Sequence, residues 1–301
     1  MAKEIVREDI PRVKLLLDRV IGNSDYENIR RMGGLTNRTY CVEFQDGSRC
    51  MVRIPGEGTE ELIDRSGERI STELACRIGI DSKLYYFGDD GAKVSEFIPN
   101  AVTMSAETMR EDRRIRQAAQ LLRRLHDSGE DTGVKFEVFD MAAGYEKIIE
   151  ENNVPMYPDY AQVKAEVMKI KAQTDAACNI KKVPCHNDPL CENWVVSGDD
   201  DRMYLIDWEY AGMNDGLWDL ADISIEGEYT AENDDLLLSE YLGKTPDQNE
   251  YRHFLAVKLY VDYLWTLWAK TRVPYDGKPM EDWAQERYER LKNNLKLFDS
   301  I

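Results

Sequence analysis

The chain has 301 residues, 43% of them hydrophobic and spread along its whole length, with no repeat, linker or low-complexity run, which excludes a disordered or fibrous protein and leaves room for two lobes. Its 57 acidic and 39 basic residues give a net charge of −18, a field that repels nucleic acid and anionic membranes and attracts cations. No apolar run is long enough to span a membrane and the charged first residues do not read as a secretory leader, so a cytoplasmic protein with no nucleic-acid or membrane partner is expected.

Asp9 and Pro11 start a helix whose apolar face is Ile10, Val13, Leu16, Leu17 and Val20. Strand-like runs follow at Arg38–Phe44 and Arg49–Ile54, joined by Gln45-Asp46-Gly47-Ser48, where Asp-Gly is a hairpin signal. A helix over about 64–78 stops at Gly79. Two further strands, Leu84–Phe87 and 92–98, flank the turn Gly88-Asp89-Asp90-Gly91, and Pro99-Asn100 ends the pattern. Beyond it the periodicity is helical, from Ser105 to about His126, then over 141–151, 160–174, 230–242, 249–271 and 281–298. A loop-rich segment, 183–216, holds short strand candidates at Trp194–Val196 and 203–206. This order predicts an α+β fold with a small β-rich lobe over 1–98 and a larger helical lobe over 99–301. The six cysteines are read as reduced thiols, and Cys185, His186 and Cys191 match no common zinc spacing.

The most informative stretch is His186-Asn187-Asp188-Pro189-Leu190-Cys191-Glu192-Asn193, with Asp207 fourteen residues further on in Leu205-Ile206-Asp207-Trp208-Glu209. Phosphoryl transfer asks a protein for little covalent chemistry and much placement of charge. One carboxylate must orient the attacking hydroxyl, and other oxygen ligands must hold magnesium against the phosphates. The H-x-D-x-x-x-x-N spacing is that of a kinase catalytic loop. Asp188, Asn193 and Asp207 are therefore the expected catalytic set, with Asn193 and Asp207 as ligands of Mg²⁺. His186 is read as a packed, hydrogen-bonded residue that holds the loop.

An ATP site is expected earlier in the chain. In Gly33-Gly34-Leu35-Thr36-Asn37-Arg38-Thr39-Tyr40, Gly34, Thr36 and Asn37 could bring backbone N–H groups to phosphate oxygens, although the run is neither GxGxxG nor a Walker loop. Arg53 stands where a kinase places its phosphate-binding lysine, and a planar guanidinium suits that work. Its carboxylate partner is expected on the next helix, where Glu68 is preferred and Glu73 stays open. Ser95-Glu96-Phe97-Ile98 is the expected hinge, meeting adenine through the backbone of Glu96 and Ile98.

The motif pair formed by His186–Asn193 and Asp207 resembles that of the aminoglycoside phosphotransferase and choline kinase superfamily. The segment Asp207-Trp208-Glu209-Tyr210-Ala211-Gly212-Met213-Asn214, then Trp218-Asp219-Leu220-Ala221 and Glu226, is similar to the choline kinase segment after its metal-binding aspartate. Leu264-Trp265-Thr266-Leu267-Trp268 resembles the paired-tryptophan helix of choline and ethanolamine kinases, and the likeness to bacterial LicA-type enzymes covers nearly the whole chain in order. The resemblance implies a bilobal protein-kinase-like fold, Mg-ATP as phosphoryl donor, and phosphocholine or phosphoethanolamine as product. Asp207-Trp208-Glu209 replaces the Asp-Phe-Gly of protein kinases and Arg53 replaces their lysine, departures that choline-kinase-like proteins tolerate.

Trp265 and Trp268 are three residues apart and share a helix face, with Asp262 one turn earlier. A trimethylammonium group donates no classical hydrogen bond, so aromatic faces and carboxylates must hold it, at roughly 0.5–2 kcal/mol per cation–π contact. With Glu226 as anchor and Tyr229 as a further ring, the expected substrate is choline. The rivals are ethanolamine or an aminoglycoside on the same fold and, from another class, a non-catalytic pseudokinase.

Overall fold

The computed structural model describes residues 5–33, 37–56 and 63–298. In chain order, α1 (Ile10–Ile21) is followed by β1 (Tyr26–Gly33), β2 (Arg38–Phe44) and β3 (Arg49–Ile54). Next come α2 (Arg65–Arg77), β4 (Leu84–Phe87), β5 (Lys93–Glu96) and the short β6 (Val102–Thr103). Helices α3 (Ala106–Met109), α4 (Asp112–His126), α5 (Val138–Glu151) and α6 (Tyr160–Ala177) precede β7 (Lys182–Cys185), β8 (Trp194–Val196), β9 (Met203–Leu205) and β10 (Gly212–Asp215). Four helices close the order: α7 (Leu217–Glu226), α8 (Ala231–Leu242), α9 (Gln248–Asp276) and α10 (Lys278–Phe298).

Two compact units result, one of Met1–Ser105 with Cys191–Ala211, the other of Ala106–Leu190 with Gly212–Ile301. A single boundary near residue 98 left Cys191–Ala211 with the second lobe. Pairing of β6 with β8 carries that segment into the first unit.

The first unit is built on an antiparallel sheet of order β1-β2-β3-β5-β4. Its β2–β3 turn is closed by Asp46, whose carboxylate accepts the N–H of Ser48 at 2.9 Å. Val13, Leu16 and Leu17 on one face of α1 pack onto Tyr40, Val42, Val52, Ile54 and Val94. Each fully buried aliphatic side chain there contributes roughly 1.5–3 kcal/mol. Asp9, next to the helix start, accepts Arg38 at 2.6 and 2.8 Å and the Tyr40 hydroxyl at 2.5 Å, which ties α1 to β2. Strand β1 had no clean alternating signature, because a bulge between Tyr26 and Asn28 puts Tyr26 and Ile29, three apart, on the same core.

In the second unit α9 is the central helix and packs against α5, α6, α7 and α10. Asp247 caps it by accepting the N–H groups of Asn249 and Glu250, while Glu250 accepts the N–H of Asp247 in return. The helix runs five residues past its expected end at 271, with Pro274 in its last turn. The helix expected from Ser105 to His126 is two helices, broken where Glu111 is extended at ψ 130°. Helix α7 was not anticipated. It is buried continuously from Trp218 to Ile225, so it lacks the polar face that makes a helix visible in sequence. No described helix is long and apolar enough to cross a membrane.

Candidate active site

In the first unit β3 presents Arg53, 6% exposed, to the start of α2. Its Nη2 lies 2.5 Å from Glu68 Oε1, a close ion pair in which that oxygen has no well-aligned hydrogen-bond donor. Glu73 points elsewhere and pairs with Arg69 at the surface, 3.0 Å away. Arg65 adds a second guanidinium, with Nη1 2.6 Å from Glu68 and 2.7 Å from Glu209. Gly91 closes this corner: its carbonyl accepts Arg53 Nη2 at 2.9 Å, and a Cβ there would come within 2.6 Å of Arg65 Nε. Its φ of +83° also suits glycine. Asn37 donates to Glu209 at 2.7 Å. Gly34 and Thr36 lie outside the described residues. Glu96 ends β5 with an exposed side chain, and Ile98 follows two residues later, half-buried.

The expected metal ligands sit at the base of the β8–β9 hairpin. Trp194 pairs with Leu205, and Ile206 donates its N–H to the Asn193 carbonyl at 3.0 Å, so Asn193 and Asp207 flank the same end. Trp208 anchors this turn by donating to Asp81 and to the Leu205 carbonyl, both at 3.2 Å. Asp207 adopts φ +70°, a left-handed conformation that a non-glycine residue holds only when its surroundings impose it. Its carboxylate lies 3.4 Å from Arg53. The surrounding protein desolvates the group and Glu209 repels it, which pushes its pKa up to about 6 against the pull of Arg53. Even so, 41% of the side chain is open to solvent and a ligand can reach it. Glu68, Asp207 and Glu209 offer oxygens within 4.8 Å of one another. An all-oxygen set of this kind fits a hard divalent cation such as Mg²⁺.

In the second unit the loop after β7 is held by one carboxylate. Asp219, fully buried near the start of α7, accepts the N–H of His186 at 2.9 Å and that of Asn187 at 2.7 Å. It also receives His126 Nε2 at 2.9 Å, while Tyr241 bonds the other ring nitrogen at 2.8 Å. Trp218 donates its indole N–H to the Asn187 carbonyl at 2.9 Å, and Asn214 donates to the Asn187 side chain at 2.9 Å. Asn187 is thereby kept at φ +67°. His186 is fully buried and its Nδ1 accepts the Asp188 N–H at 3.3 Å, the loop-holding role expected of it. Asp188 itself is half-buried.

On α9, Trp265 is buried and Trp268 half-buried, their rings edge to face at 6.0 Å. Trp283 of α10 continues the cluster 6.1 Å from Trp268. The Arg287 guanidinium lies over the Trp283 ring at 4.0 Å and pairs with Glu226. Asp262 is not the open anchor expected beside the tryptophans. It is fully buried, and both its oxygens are taken by Arg290, at 2.6 and 2.9 Å. The Tyr229 hydroxyl donates to the Met109 carbonyl at 2.8 Å. Arg65, Glu209, Trp283 and Arg287 were not assigned from sequence. For Glu209 the signal was a second carboxylate two residues after Asp207. For Trp283 and Arg287 it was their spacing of four on one helix.

Solved structures share this fold over nearly the full length. A choline/ethanolamine kinase family protein from Mesorhizobium loti is 31% identical, with a TM-score of 0.82 covering 95% of this chain and 94% of its own. The choline kinase LicA from Streptococcus pneumoniae is 29% identical, with a TM-score of 0.79 covering 94% and 98%. The LicA protein of Haemophilus influenzae is 29% identical over 278 residues, 89% of this chain and all of its own length. The protein is thus an ATP-dependent phosphotransferase of α+β, kinase-like fold, as expected from the sequence. The choline/ethanolamine kinase family model matches residues 29–287, and the chain belongs to that family. Its substrate class is a small alcohol, choline or ethanolamine.

Proposed function

We propose that the protein transfers the γ-phosphoryl group of ATP to the hydroxyl of choline, giving phosphocholine and ADP in the cytoplasm. The observation that carries the choice of choline is Arg287. This internal cation already rests on the Trp283 face and against Glu226, so the cluster of rings and carboxylates has the chemistry that a quaternary ammonium requires. The LicA relatives support the same choice.

In this reading Asp188 accepts a hydrogen bond from the alcohol and aims its oxygen at the γ-phosphorus. The new P–O bond forms as the bond to the β-phosphate bridge breaks, and the hydroxyl proton passes to Asp188. Asn193 and Asp207 hold Mg²⁺, with Glu209 beside them. When bound, the ion neutralises charge on the phosphates. Arg53, steadied by Glu68, presents its guanidinium to phosphate, while Asn37 with Gly34 and Thr36 contributes to the phosphate-binding turn. The backbone of Glu96 and Ile98 meets adenine. Trp265, Trp268 and Glu226 hold the ammonium end, with Tyr229 at its margin, and Asp262 keeps Arg290 and Arg287 in place.

The test is ADP release with choline, ethanolamine and an aminoglycoside in parallel. The highest kcat/KM is expected with choline, and a higher value for either rival overturns the choice. Trp268→Ala is expected to raise KM for choline about two- to thirtyfold, the loss of one cation–π contact. An unchanged KM for every amine would remove Trp268 from the site.

Because Asp207 must be ionised to bind metal, Mg²⁺ affinity is expected to fall as pH drops through about 6. The loss approaches about tenfold per pH unit below that point. Titrating Mg²⁺ against the fluorescence of neighbouring Trp208 measures it, and a pH-independent affinity would exclude Asp207 as a ligand.

A further inference from the structure

We propose that Asp222 is a further substrate-binding residue: together with Glu226 one turn on, it forms a pair of carboxyl groups that holds the cationic nitrogen of the alcohol. The inference rests on the reading of the protein as a kinase of a cationic alcohol, and it names a residue beyond that reading.

Asp222 is fully buried in the middle of α7, and neither carboxyl oxygen has a hydrogen-bond partner among the described residues. Buried polar groups that serve only the fold are almost always bonded, because an unmade bond in the interior is destabilising. The neighbouring buried acids show that rule. Asp219 is bonded on both oxygens, Asp262 is taken by Arg290, and Asp234 pairs with Lys258 and Ser224 between α7, α8 and α9. Asp222 alone in this group is left without a partner. At a spacing of four it shares a face of α7 with Glu226.

The charges that bear on Asp222 are those of Glu226 and Asp219 on its own helix, Asp188 from the catalytic loop and Arg287 from α10. Arg287 is the one cation among them and is already engaged by Glu226, with Asp262 at 3.5 Å. Burial first, then repulsion by Glu226 and Asp188, pushes the pKa of Asp222 well above the ordinary carboxylate range, with Arg287 opposing. Without substrate the group therefore holds its proton to a higher pH than an ordinary carboxylate does. An arriving cation reverses the balance, since it favours the ionised form and offsets the repulsion among three carboxyl groups. The proton leaves to water as the ammonium binds, so substrate binding is linked to release of a proton and weakens as pH falls.

Asp222→Asn tests this with the shape preserved. The variant is expected to raise KM for choline about tenfold or more. KM for ATP should be unchanged, and the melting temperature should stay near that of the wild type, because the amide replaces a carboxyl whose charged form is already disfavoured in the free protein. The wild-type KM for choline should rise as pH is lowered, and that of the variant should not. A lower melting temperature with unchanged KM for choline would make Asp222 a purely structural residue and overturn the proposal. Calorimetry on the wild type is independent of how the variant folds. Choline-binding heats that differ between buffers of different ionisation enthalpy support proton release, and identical heats overturn it. If the wild type neither binds nor phosphorylates choline or ethanolamine, the functional reading itself falls, and this inference with it.

Discussion

Asp188→Ala is expected to lower kcat by about 10²–10⁴, the usual effect of losing the group that orients and deprotonates a nucleophile. KM for ATP should change little. Asp188 is half-buried and is one of the charges that disfavour ionisation of Asp222, so the variant's thermal stability is read alongside its turnover. Asp188→Asn should be nearly as slow, since an amide fills the same space without accepting a proton. Steady-state turnover of both variants is the check. Near-normal kcat in either one would take the central role away from Asp188.

Asp219→Ala is expected to damage folding as well as turnover. The side chain collects the N–H groups of His186 and Asn187 and one ring nitrogen of His126, all within 2.9 Å. Its removal strands buried donors on three residues, and breaking a buried charged network of this kind costs about 3–5 kcal/mol. For a chain of this size that corresponds to a fall in melting temperature of roughly 10 °C. Asp219→Asn should not rescue it. Both carboxylate oxygens accept backbone N–H groups, and an amide can present only one accepting end. Asn187 would then lose one of the bonds that hold it at φ +67°, leaving those from Trp218 and Asn214, and Asp188 would lose its aim. A melting temperature within a degree or two of wild type would show that the loop is held by other means.

Parts of this arrangement were legible in the sequence because their signals are local. The Asp46-Gly47 turn and the alternating runs beside it placed β2 and β3 at their observed limits. Asn193 and Asp207 were singled out from spacing, and the hairpin between them sets both at one end of β8 and β9. Other parts depend on contacts between distant residues, which one sequence does not display. Glu68 and Glu73 sit on one helix, and only burial shows which of them meets Arg53. Asp262 looked available one turn before Trp265, but Arg290, 28 residues on, occupies it. Helix α7 carries Asp219, Asp222 and Glu226, yet it is surrounded on all sides and gives no amphipathic pattern. The lone carboxyl of Asp222 became visible only when its surroundings were known.

The most direct measurement is phosphorus NMR of the protein mixed with choline and Mg-ATP, with Asp188→Ala alongside. The expected result is a phosphomonoester signal that grows in step with ADP in the wild type and is nearly absent in the variant. Release of inorganic phosphate alone, or no new phosphomonoester with either choline or ethanolamine, would contradict it.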